Sequence, residues 1–129
     1  MVAVKLEKFD SEAFYERQFE FAKRCQKLVS ELTKTLYNQE YGYQLIKSSS
    51  SIGSNYIEAL EALSKKDFIH RLRISRKEAQ ESVHWLRLIK YANSKSNEIV
   101  KESKELIIEG REIVKIFSAS IITLERKNF

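Results

Sequence analysis

The chain contains no proline and only 3 glycines among 129 residues. A fold of many short strands needs tight turns, and these residues supply few of them. Long helices with short connections fit the composition better. One cysteine, Cys25, cannot close a disulfide within the chain, which fits a reducing compartment. No apolar stretch approaches the roughly 20 residues of a membrane span. Met1 to Phe9 lacks the apolar core of a signal peptide. The expectation is a cytoplasmic protein that does not associate with membranes. The length suits one domain with a sizeable core.

Catalytic constellations are equally scarce. The two histidines, His70 and His84, are 14 residues apart. On one helix that is about 21 Å, at about 1.5 Å per residue, too far to share a metal. Glu81 and His84 have the Glu-x-x-His spacing of di-iron bundles, but such a site needs that motif on two helices. There is no cysteine pair and no glycine-rich phosphate loop. No catalytic residue, metal site or cofactor is assigned, and the chain is read as a non-enzyme.

What the chain does have is a long periodic stretch, Lys65 to Ala92. Phe68, Leu72, Ser75, Ala79, Ser82, Leu86 and Ile89 recur in alternating steps of 4 and 3, the seam of a helix packed on other helices. A second line, Lys66, His70, Arg73, Lys77, Gln80, His84 and Arg87, keeps the same steps and contains no carboxylate. Arg76 and Lys90 flank it. The stretch holds 8 Lys and Arg against 3 Asp and Glu, and the rest of the chain holds 15 of each, so the net +5 resides here. A solvated charged face and an anion-binding surface both account for this line.

Three further helices follow from the same stepping. Asp10 or Ser11 can cap the first, whose stripe is Phe14, Gln18, Phe21, Cys25, Leu28 and Leu32. Ala22, Val29 and Leu36 form a second line beside it. Tyr15 and Phe19 lie outside both, as surface aromatics or as a subunit contact. Asn38 to Glu40 is expected to turn the chain. The second helix then carries Leu45, Ser49, Ile52, Tyr56, Ala59 and Leu63. Ser48 to Ser51 and Gly53 offer small side chains that let another helix come close. Ser51, Asn55 (or Ser54) and Glu58 form a polar line on this helix, either exposed or hydrogen-bonded at a helix or subunit contact.

Ser64-Lys65-Lys66-Asp67 has the form of a capping box. The last helix combines Ile99, Ser103, Leu106, Gly110, Ile113, Phe117, Ser120 and Leu124 with a second line, Val100, Ile107, Val114 and Ile121. Four helices of roughly 24 to 29 residues joined by short turns make an all-α, antiparallel up-down-up-down four-helix bundle. The expected organisation is a flexible N-terminal arm over residues 1–9 and a bundle domain over residues 10–129. The doubled apolar lines on the first and last helices, with Tyr15, Phe19 and Trp85, exceed what an isolated bundle buries, so a homo-oligomer is expected.

Ser51-Ile52-Gly53-Ser54-Asn55-Tyr56-Ile57-Glu58-Ala59 resembles the S-I-G-A-N-Y-x-E-A signature of a bacterial four-helix bundle family, the proteins encoded by intervening sequences in 23S ribosomal RNA genes. Ser64 to His70, Lys77-Glu78-Ala79 with Glu81 and Trp85-Leu86-Arg87-Leu88, and Glu112 to Phe117 resemble further blocks of that family. Ser54, Ile57 and His84 depart from its usual residues. The resemblance implies an antiparallel four-helix bundle without established enzymatic activity and, in relatives, a ring-like homopentamer. A related protein, the accessory variability determinant of diversity-generating retroelements, binds nucleic acid and a reverse transcriptase.

The resulting expectation is an oligomer that binds RNA or DNA with little sequence preference, through phosphate contacts of Lys66, His70, Arg73, Arg76, Lys77, His84, Arg87 and Lys90. Ser51, Asn55, Glu58 and Trp85 are assigned to structural or interface roles. The rival expectation is a scaffold that binds another protein, a reverse transcriptase among them, and no nucleic acid.

Overall fold

Each helix begins where a short polar side chain can accept from the first turn. The computed structural model describes residues 10–126, so the arm assigned to residues 1–9 lies outside the described residues. Helix α1 spans Ser11–Ser30, α2 Leu36–Leu60, α3 Lys65–Ala92 and α4 Asn97–Arg126. Asp10 accepts from the Ala13 amide, Thr35 from Asn38, Ser64 from Asp67 and Ser96 from Ile99. Helices adjacent in sequence pack against each other, and α1 closes the ring against α4. The result is the antiparallel four-helix bundle expected from the stepping.

The buried seam of α3 is the one read from the sequence, from Phe68 to Ile89. Phe14, Tyr56 and Phe117 join α1, α2 and α4 through ring centroids 4.9 to 5.9 Å apart. Serines bring α2 and α3 close together. The Ser48 and Ser82 hydroxyls meet at 2.9 Å, and Ser75 donates to the Ile52 carbonyl at 3.0 Å. A hydroxyl at these positions occupies little volume and satisfies its own burial.

Two expectations are corrected. The first turn lies at residues 31–35 rather than 38–40, so Leu36 opens α2 and is 86% exposed instead of extending the α1 stripe. Asn38 is buried inside the first turn of α2. It donates to the Thr33 carbonyl at 3.0 Å and exchanges two hydrogen bonds with Asn93, at 3.1 and 2.9 Å. Its polarity ties together the two turns at this end of the bundle. Leu63, read as the end of the α2 stripe, lies in the α2–α3 connection and is 95% exposed. Asn38→Ala is expected to lower stability by about 1 to 3 kcal/mol, because it strands the Asn93 and Thr33 partners. A urea melt checks this, and an unchanged midpoint would mean that the Asn38 hydrogen bonds add nothing to stability.

The second apolar line of α4 is absorbed within the chain. Ile107 and Ile121 are buried, and Val100 and Val114 are half-buried. This line therefore leaves little surplus apolar surface, and the sequence argument for self-association loses that part. Cys25 is fully buried, and burial pushes its thiol up to about 12. The unfolded thiol ionises near its ordinary 9.0. The stabilisation it carries is therefore complete below about pH 9 and is lost as pH rises through the folded value. Alkylating reagent at pH 8 should leave the folded thiol unlabelled and label it fully in guanidinium. Rapid labelling of the folded chain would contradict this burial.

Candidate nucleic-acid interface

The line read on α3 is displayed as a surface because the opposite edge of the helix is its seam. Lys66, His70, Arg73, Lys77, Gln80, His84 and Arg87 are all exposed, and Arg76 and Lys90 are half-buried. Not every cation is free. Arg73 pairs with Glu125 of α4, and Arg76 Nη1 donates to the Ser118 hydroxyl at 3.3 Å. Lys66, Lys77 and Arg87 have no ion-pair partner among the described residues. Beside the line, Glu78 is half-buried toward Lys47 of α2. Burial, and then the nearby Glu81, pushes its carboxyl above the ordinary range.

His84 and Trp85 meet edge to face at 4.8 Å, and Trp85 lies 6.1 Å from the Tyr41 ring of α2. Trp85 thus spans the α2–α3 seam while its histidine neighbour faces outward. Ser51 and Asn55 are half-buried and Glu58 is exposed. The Ser51 hydroxyl donates to the Lys47 carbonyl at 2.7 Å, and Asn55 Nδ2 to the Ser51 carbonyl at 2.9 Å. Both bonds run along α2 itself.

Charge counting along the sequence missed a second cationic line. Lys101, Lys104, Ile108, Arg111, Lys115, Ala119, Ile122 and Arg126 recur at helical spacing on α4, and all are exposed. Three carboxylates of α4, Glu102, Glu105 and Glu109, turn toward α1. Arg17 holds Glu109 with two bonds of 2.7 and 2.8 Å, and Arg24 bridges Glu102 at 2.7 Å and Glu105 at 3.3 Å. The hydrogen bond with Glu109 raises the Arg17 pKa above its ordinary value. A helix nearly neutral in sum therefore presents cations outward. The 4 and 3 stepping of these residues was present in the sequence. The direction of the glutamates was not.

Residues 11–116 match the sequence pattern of the 23S rRNA-intervening sequence proteins. The chain belongs to that family. The match includes all of α1, α2 and α3, and with them the three blocks quoted above between Ser51 and Leu88. A solved relative is similar in fold: the crystal structure of a protein of unknown function from the S23 ribosomal protein family of Bacteroides thetaiotaomicron VPI-5482. It superposes with a TM-score of 0.73 at 28% identity, over 88% of this chain and 98% of that one. No curated protein matches the chain significantly. Among the described residues no helix is long and apolar enough to cross a membrane, and no three His, Cys, Asp or Glu side chains converge as metal ligands.

Proposed function

We propose that this family member is a non-catalytic, cytoplasmic homo-oligomer that binds RNA or DNA through phosphate contacts along α3. The observation that carries this reading is the exposed line from Lys66 to Arg87, which contains no carboxylate. Arg offers a planar fork of donors to a phosphate and Lys a mobile point charge. Neither reads bases in this arrangement, so binding is largely tolerant of sequence. Resemblance to ring-forming relatives favours a pentamer. A ring would repeat the +5 of each chain and concentrate the positive potential.

Titration of labelled RNA and DNA at several salt concentrations tests the reading. Binding should weaken steeply with salt, at a log–log slope near 0.9 per phosphate neutralised on a duplex. Failure to bind either nucleic acid at low salt would overturn it. A protein-binding scaffold would then take its place, with a reverse transcriptase as one partner to test. That second reading is favoured by the exposed apolar side chains Phe19, Ile46 and Ile57 on α1 and α2.

A further inference from the structure

The cationic lines of α3 and α4 border the same seam. Arg73 of α3 reaches Glu125 of α4, and Arg76 reaches Ser118 at 3.3 Å. Along α4, Lys115, Ser118, Ile122 and Glu125 follow one another in steps of 3 and 4, so they are neighbours on one side of the helix. Glu102, Glu105 and Glu109 occupy the other side, against α1. The outward line of α4 therefore lies beside the residues that the α3 line touches, and the two converge on one strip. Each line is about 38 Å long, at about 1.5 Å per residue. On this strip Lys77, Arg87, Lys104 and Arg111 have no ion-pair partner among the described residues. Glu125 is taken up by Arg73, and Glu112 lies 3.7 Å from Lys115. Cations gathered in this way repel one another, and a polyanion laid along them relieves the repulsion.

The strip is not only cationic. The stepping that gives Lys77, Gln80, His84 and Arg87 continues by four to Tyr91, which is 80% exposed. On α4, Ile108 and Ile122 are 64% and 48% exposed among Lys104, Arg111 and Lys115. A duplex turns its phosphates outward and keeps its base faces stacked inside. Against it the tyrosine and the isoleucines would meet charge alone. A single strand offers phosphates and uncovered base faces together, which cations interleaved with aromatic side chains can take up. We infer that the α3/α4 strip binds single-stranded RNA or DNA. Cations of both helices hold its phosphates, and Tyr91, Ile108 and Ile122 cover its bases. Tyr91 supplies the stacking face, and every base has a face to stack on it, so the contact stays tolerant of sequence.

This inference rests on the nucleic-acid binding proposed above, and it adds the second helix and the form of strand. Fluorescence anisotropy on the whole chain tests it, with one labelled mixed-sequence oligonucleotide, single-stranded or annealed to its complement, at several salt concentrations. Wild type should bind the single strand about tenfold or more tightly than the duplex. Lys104→Glu with Arg111→Glu should lower the single-strand log–log salt slope by about 1.4, at about 0.7 per phosphate. Tyr91→Ala should weaken single-strand binding about tenfold with the slope unchanged, leave the duplex as it was, and be rescued by Tyr91→Phe. These side chains are exposed, so circular dichroism should show wild-type helicity for every variant. A wild type that binds neither form at low salt overturns the proposed function and this inference together. If nucleic acid binds but the α4 charge reversal keeps wild-type affinity and slope, α4 is no part of the interface and this inference alone falls. Equal or tighter binding of the duplex, or a Tyr91→Ala variant indistinguishable from wild type, overturns the single-strand assignment.

Discussion

Lys77→Glu combined with Arg87→Glu is expected to weaken binding of RNA and DNA by about 60-fold at 0.1 M salt. The figure follows from two lost phosphate contacts, each worth about 0.9 in the log–log salt slope. The slope itself should fall by about 1.8 for duplex DNA, and repulsion from the new carboxylates adds to the loss. These two positions isolate phosphate contact better than Arg73 or Arg76 can. Reversing Arg73 would also break its pair with Glu125, and Arg76 is engaged with Ser118. Lys77 and Arg87 are exposed and without ion-pair partners among the described residues, so the fold should tolerate the change. Fluorescence anisotropy across several salt concentrations reads both quantities. A double variant with wild-type affinity and slope would remove α3 from the interface.

Gly110→Leu is expected to cost about 3 kcal/mol or more, enough to unfold a marginal domain. Gly110 is buried where α4 crosses both α1 and α3. An added Cβ would lie 2.8 Å from Val83 Cγ2 and 3.3 Å from Phe21 Cζ. Valine has little freedom to turn away, and Phe21 is packed at 1% exposure. Gly53→Ala should do the opposite. Its new methyl meets an ordinary contact, and alanine gains up to about 1 kcal/mol over glycine in a helix interior. Thermal melts of both variants test the pair. Equal shifts would mean that the two glycines differ in nothing but position.

The two glycines also mark how far the sequence can be read. Gly110 takes a place in the α4 stripe and Gly53 sits beside Ile52 of the α2 stripe, and neither spacing says how much room surrounds the glycine. Only the packing of three helices around Gly110, and the open groove beside Gly53, tells them apart. The turn between α1 and α2 was misplaced for a related reason. Polar Asn38 looks like loop, yet its amide is buried against Asn93, a residue 55 positions away that no local pattern connects to it.

The stepping of apolar residues by itself determined the number of helices, their seams and the exposed cationic line of α3. The hydrophobic effect acts on every turn of an amphipathic helix, so its period is written locally. The net charge of each helix was likewise open to counting. Which face each charge occupies in the assembled bundle was a tertiary decision. Arg17 and Arg24 of α1 draw Glu109, Glu102 and Glu105 into one seam, and that leaves Lys104, Arg111 and Lys115 outward on α4. The unpaired Gln18 amide is of the same kind. It occupies an α1 stripe position that the spacing marks as core, and only the placement of α2 beside it decides that its two polar atoms are buried without partners.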